Sequence, residues 1–277
     1  MSRSCSLRGA KLLAAALAGL SLMLAAPHGD ALARAGARQT GAKPTIVFVH
    51  GAFADASGFA DVTSRLQDRD YTVLSPANPL RGPASDAAYV AAKLKQIHGP
   101  IVLVGHSYGG AVISEAATQV ANVKALVYLD ALALDEGESN ADIAQRFPNQ
   151  AFFDALRPEA FPQADGTDGT EFTIDPAAFH ALFAADLPAR EAAVMATAQR
   201  PLALAGNLEK LTAPAWKTIP SWYLVGRQDR IFSAEAQRFM AKRAHAHTVE
   251  IDSSHAVYVS HPGAVTALIQ QAAKAVD

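Results

Sequence analysis

The chain has 277 residues, 50% of them hydrophobic and 18% charged, with a formal net charge of −2. That length accommodates one large α/β domain with an insertion and does not require two independent folds. The near-neutral balance, with no basic patch interleaved with aromatics, gives no reason to expect a nucleic-acid partner.

The first 33 residues differ from the rest. Arg3, Arg8 and Lys11 precede the alanine- and leucine-rich run Leu12–Ala26, and Ala31-Leu32-Ala33 follows as a small-x-small cleavage site. Basic start, apolar run and small residues together predict a secretory signal peptide over 1–33, hence an exported chain, periplasmic or secreted. The apolar run is short for a membrane span, and no second such segment follows, so no span is expected in the mature chain. The single cysteine, Cys5, falls in this leader. Disulfides, thiolate catalysis and cysteine–zinc sites are therefore excluded from the mature chain. Without the leader, 21 Lys and Arg face 25 Asp and Glu, a mildly acidic balance.

Short apolar runs then alternate with helical patterns. Thr45–His50 reads as a strand, Asp55–Asp68 as a helix and Tyr71–Ser75 as a strand. Ser85 is expected to cap a helix reaching His98, with Gly99-Pro100 as its stop. Ile101–Val104 is a central strand, followed by a sharp turn and an alanine-rich helix. Ala125–Leu129, Trp222–Val225 and Thr248–Ile251 are further strands, with a helix over Ser233–Ala244 and a last helix entered through Pro262. Strands this apolar predict an α/β fold: a mostly parallel central sheet of about six strands with helices on both faces. The rhythm breaks between Leu129 and Ser221, a stretch holding seven of the twelve phenylalanines. Helical fragments interrupted by prolines, with a polar turn at Gln163–Thr170, suggest an inserted helical lid over 131–215. The core would then be 34–130 and 216–277. Lid aromatics such as Phe152, Phe153 and Phe183, with Phe53 from the core, would supply an apolar pocket.

The turn after the central strand carries Gly105-His106-Ser107-Tyr108-Gly109. A serine hydroxyl is a poor nucleophile unless exposed, oriented and deprotonated by a neighbour. A strained strand-to-helix turn exposes it, and the glycines remove Cβ atoms that would strike the adjoining strand and helix. The motif predicts acyl transfer and requires a later acid and histidine. His255 lies four residues past Ile251, at the carboxyl end of the last strand, where functional groups of such sheets collect. Asp229 follows Trp222–Val225 by a short loop and is the preferred acid. Asp130, which ends the preceding strand directly, competes for that role. The oxyanion hole needs two backbone N–H groups. Tyr108 supplies one, and Ala52 the other, with Phe53 as second choice. His50 and His106 read as structural hydrogen-bonders beside glycines. His245 and His247 could form a metal pair but lack an accompanying third ligand, so no metal and no cofactor are expected.

At these residues the chain resembles the α/β-hydrolase superfamily, most closely the small-esterase branch with methyl-salicylate esterases, hydroxynitrile lyases and bacterial homologues. The stretches that carry the resemblance are VFVHGAF (47–53), NPLRG (78–82), VLVGHSYGGAV (102–112), LVYLDALALDEGES (126–139), LVGRQDRIF (224–232), EAQRFM (235–240) and SSHAVYVSHPGAV (253–265). The resemblance implies a triad of Ser107, Asp229 and His255, oxyanion N–H groups at Ala52 and Tyr108, and a small-molecule ester as substrate. The lyases of this branch carry a lysine directly after the catalytic histidine and a threonine after the first histidine of the oxyanion loop. Ala256 and Gly51 stand there in this chain, which favours ester hydrolysis. Carbon–carbon bond hydrolysis or lyase chemistry on the same scaffold is the alternative, and a slow-turnover ligand receptor is a third reading.

Overall fold

The computed structural model describes residues 43–276. The expected signal peptide lies outside them. The central sheet contains β1 (Thr45–Val49), β2 (Val73–Leu74), β3 (Ile101–His106), β4 (Val123–Leu129), and two later strands at Ser221–Gly226 and His247–Ile251. Between them the chain forms three further strands, so the last two are β8 and β9. The sheet order is β2-β1-β3-β4-β8-β9, and every pairing is parallel.

A parallel sheet needs cover on both faces, and the two-residue alternation of side chains divides the strands between two cores. Val47, Val49, Leu103, Leu126, Tyr128, Tyr223 and Val225 share one cluster. That cluster packs on α2 (Pro83–Leu94) and α3 (Gly109–Ala116), and on α9 (Ala234–Arg243) further along the chain. Ile46, Phe48, Val102, Val104, Val127 and Leu224 meet α1 (Ala60–Gln67) and the terminal helix α11 (Pro262–Lys274) on the other face. The short helix α10 (Val257–Ser260) precedes α11.

Helix α2 starts at Pro83, not after a Ser85 cap, and ends at Leu94, well short of His98. Proline presets the first-turn φ and has no N–H to leave unsatisfied. Ser85 instead donates its hydroxyl to the Gly82 carbonyl at 3.0 Å. The insertion between β4 and β8 contains helices α4 (Asn140–Arg146), α5 (Gln150–Ala155), α6 (Pro176–Phe183), α7 (Ala189–Thr197) and α8 (Leu204–Leu208). It also contains a small antiparallel sheet, β5 (Leu156–Pro162), β6 (Asp168–Ile174) and β7 (Leu202–Ala203), which the helical expectation for this stretch lacked. Pro158 and Pro162 obscure β5 as a strand, yet β5 is an edge strand, where a missing N–H breaks no ladder. Gln163 N–H donates to the Thr167 carbonyl at 2.9 Å, so the polar turn read from the sequence closes this hairpin. Among the described residues no helix is long and apolar enough to cross a membrane.

The topology creates the site. From β1 the chain moves outward to β2, then returns past β1 to β3 and proceeds outward on the other side. This reversal opens a crevice at the carboxyl ends of β1 and β3, the place where such sheets bind ligands. Register keeps these ends level: Val49 pairs Gly105, His106 pairs Leu129, and Gly226 pairs Ile251.

Candidate active site

Three strand ends at the crevice carry left-handed residues that are not glycine: Phe53 (φ 61°), Ser107 (φ 53°) and Asp130 (φ 45°). Such a conformation costs an L residue about 1–2 kcal/mol, and only surrounding contacts sustain it. At Ser107 those contacts are explicit. Its N–H donates to Leu129 O (3.2 Å), and its carbonyl accepts from Gly110 (2.9 Å) and Leu132 (3.0 Å). The glycines of the motif allow the close approach. A Cβ on Gly105 would lie 2.7 Å from Gly109 O, and one on Gly109 would lie 2.3 Å from Val49 O.

The loop after β1 comes equally near. A Cβ at Gly51 would stand 2.5 Å from Ser107 Cβ, so only glycine lets this loop lean on the serine. Among the described residues no backbone acceptor takes the N–H of Ala52 or Tyr108. The Phe53 N–H, by contrast, donates to Arg200 O at 2.9 Å. The Phe53 N–H is thus engaged, whereas those of Ala52 and Tyr108 have no backbone acceptor among the described residues. Tyr108 is held from its far end, where its hydroxyl donates to the buried carboxylate of Asp86 at 2.8 Å.

Asp229 and His255 meet. His255 Nδ1 lies 2.7 Å from Asp229 Oδ2, and both side chains are buried. Asp229 also accepts from the N–H groups of Ile231 (2.7 Å) and Phe232 (3.2 Å) and from Gln237 Nε2 (2.8 Å). Four N–H donors thus fix this carboxylate and, through it, the ring. Phe183 and Phe232 pack edge-on against the imidazole, with ring centres 4.9 and 5.6 Å away. Nε2, the ring nitrogen left over, is buried and has no partner among the described residues. No hydrogen bond joins it to Ser107; such base–nucleophile contacts are often long before substrate closes them. Asp130, the competing acid, does not take the Nδ1 proton. Its Oδ1 accepts from the Gly226 N–H at 2.7 Å instead.

His50 and His106 have structural partners. Asn78 N–H donates to His50 Nε2 (3.2 Å), so the proton sits on Nδ1, which faces Gly51 O at 2.9 Å. His106 Nε2 donates to the His255 carbonyl at 2.9 Å. Burial, reinforced by the neighbouring His255, pushes His106 well below the usual imidazole range, and burial lowers His50 as well. His245 and His247 gain no third ligand among the described residues.

The pocket beside Ser107 has a volume of about 590 Å³, within the usual range for a small-molecule site. Phe53, Phe152 and Phe153 line it, together with Phe147, Phe172 and Phe232. Phe183 does not. It is fully buried, stacked on Phe179 and edge-on to the His255 ring, so it braces the histidine instead of lining the cavity. Among the described residues no charged side chain lines the pocket; its polar groups are carboxamides such as Asn140, Gln145, Asn149 and Asn207, and hydroxyls.

The insertion also supplies residues that the sequence reading missed. Asp186, between α6 and α7, accepts from both the N–H (3.0 Å) and the hydroxyl of Ser254, the neighbour of His255. Burial raises the Asp186 carboxyl, but these bonds outweigh it and hold the group below the usual carboxylate range. Asn149 donates through Nδ2 to the carbonyls of Arg230 (2.6 Å) and Ile231 (3.3 Å) in the acid loop. No spacing or motif signals Asp186, Asn149 or Arg200. Gln237 alone sits in a stretch that carried the resemblance.

A family model described as "Alpha/beta hydrolase family" matches residues 46–268. The "Alpha/beta hydrolase nvfD" of Aspergillus novofumigatus is 27% identical over 255 residues, 83% of this chain and 97% of that protein. A "Carbendazim hydrolyzing esterase" of a Nocardioides species is 30% identical over 106 residues, 34% of this chain and 44% of that protein. In fold the chain is similar to polyneuridine aldehyde esterase, with a TM-score of 0.71 at 17% identity, covering 83% of this chain and 99% of that one. With a six-stranded parallel sheet, a strained serine turn at its switch point and a family match over most of its length, the chain belongs to the alpha/beta hydrolase family.

Proposed function

We propose that this protein is a cofactor-free serine esterase that cleaves neutral, apolar carboxylic esters through an acyl-enzyme. The observation that carries the reading is the buried His255–Asp229 pair at 2.7 Å beside the left-handed Ser107 turn. In this mechanism His255 Nε2 takes the Ser107 proton as Oγ bonds to the ester carbonyl carbon. The oxyanion is held by the N–H groups of Ala52 and Tyr108. Asp229 holds the ring in the tautomer with its proton on Nδ1 and offsets the imidazolium charge. The C–O bond to the alcohol then breaks as Nε2 returns the proton to the leaving oxygen. Water repeats the sequence on the acyl-enzyme and regenerates Ser107.

The uncharged pocket supports the choice of substrate. A charged ligand would lose its hydration there with no counter-ion to replace it. The relative named as hydrolysing carbendazim supports an esterase, and Gly51 and Ala256 count against cyanohydrin cleavage. Export after cleavage near Ala33 is part of the proposal, and amino-terminal sequencing of the exported protein tests it. Ser107→Ala should lower kcat on p-nitrophenyl esters by about 10⁵ or more with an unchanged Tm. Retained turnover would remove the assignment. Release of a ketone or aldehyde without ester cleavage would favour the carbon–carbon alternative.

A further inference from the structure

Asp130 has features that bracing a loop does not explain. It is completely buried at the end of β4, in a left-handed conformation, and its Oδ1 alone is satisfied, by the Gly226 N–H. Oδ2 is buried with no hydrogen-bond partner. An orphaned buried oxygen is costly and calls for an explanation. One oxygen of Asp130, one of Asp229 and one ring nitrogen of His255 all lie within 4.8 Å of one another. Two carboxyl groups therefore converge on one imidazole, although only Asp229 bonds to it.

The charges around Asp130 sharpen the point. Asp229 from the acid loop and Asp186 from the insertion act on it, and it acts in turn on the phenols of Tyr223 on β8 and Tyr258 on α10. His255 is the one group of this set that can become positive. Burial pushes the Asp130 carboxyl well above the usual range, and the Asp229 charge pushes it further. Both causes favour the neutral form of Asp130 while Asp229 is paired with the ring. Remove the Asp229 charge, and the second cause of that upward push is gone.

We propose that Asp130 is a positioning residue for His255: a second acid that supports the imidazole behind Asp229 and replaces it in part when Asp229 is lost. The proposal rests on the triad reading given above. No new proton is required. When Asp130 ionises it releases its own proton to solvent, and the Nδ1–H of the imidazolium formed when Nε2 takes the Ser107 proton then faces the Asp130 carboxylate.

The test compares Asp229→Ala with Asp229→Ala/Asp130→Asn in the full chain. Alanine removes every side-chain acceptor at 229, and the Asp130→Asn change keeps a carboxamide oxygen for the Gly226 N–H while losing the charge. The proposal expects Asp229→Ala to retain a kcat at pH 8 at least ten-fold above that of the double variant. It also expects Asp229→Ala to keep a downfield, hydrogen-bonded His255 Nδ1–H proton resonance. Equal residual rates in the two variants, or loss of that resonance in Asp229→Ala, would overturn it. The resonance is read on the single variant, so the test survives if the double variant fails to fold. It also separates the two claims: wild-type protein without ester turnover would defeat the esterase reading, whereas the resonance reports on Asp130 and His255 directly.

Discussion

The sheet and the insertion contribute to the site in different ways. The sheet ends supply the proposed nucleophile, base, acid and oxyanion donors, held by tight backbone contact and left-handed turns. The insertion supplies no member of that set. It touches each loop from outside instead: Arg200 O takes the Phe53 N–H, Asn149 holds the carbonyls of the acid loop, and Asp186 holds Ser254. A cover that merely closed the pocket would have no need of these bonds. The contrast teaches that the insertion acts as a clamp on the loops as well as a roof, so damage to it should reach kcat and not only KM.

Among the tests of this contrast, the largest expected effect lies on the sheet side. Gly51→Val drives a side chain into Ser107 and must displace the loop that carries Ala52. Loss of one oxyanion donor costs about 10²–10³ in kcat, so steady-state kinetics should show that fall with a smaller change in KM. An unchanged kcat would mean that the loop moves freely and that close packing is not what holds the site.

Next comes the clamp. Asp186→Ala removes two acceptors from Ser254, and should lower kcat about ten-fold while destabilising the chain by about 1–3 kcal/mol in urea unfolding. A rise in KM with kcat intact would reduce the insertion to a roof.

The smallest effect is on stability against pH. His106 and His50 have folded pKa values below the ordinary 6.5, so the unfolded chain takes up their protons first. Their contribution is complete above pH 6.5 and is lost as pH falls from there toward their folded values. Asp130 works in the opposite direction: its raised carboxyl favours the folded state most at low pH and less as pH rises. Between about pH 5 and 6.5 the His106→Gln variant should therefore lose less stability toward acid than the unmodified chain, read from denaturant midpoints. Identical slopes would show that His106 is not held neutral by the sheet.

How far the site could be read in advance depended on how local each feature is. The strand, turn and helix around Ser107 are written in consecutive residues, because apolar runs and flanking glycines act over a few positions. The order of serine, acid and histidine follows from the order of strand ends. The small sheet of the insertion was hidden because the prolines of β5 are tolerated only at an edge, and being an edge is a property of the assembled sheet. Phe183 and Phe152 are equivalent as letters. One is buried against His255 and the other faces the cavity, a difference set by helix packing.

Sequence alone therefore determined the strand and helix alternation, the elbow around Ser107 and the short list of acids and histidines able to serve it. Tertiary structure decided which carboxylate meets His255, which backbone N–H groups stay unpaired, and that Asp186 and Asn149 reach across from the insertion. The physical reason is one of range. Periodicity and turn chemistry act between neighbours in the chain, whereas a hydrogen bond across 26 positions, as between Asp229 and His255, exists only once the sheet has brought its strand ends level.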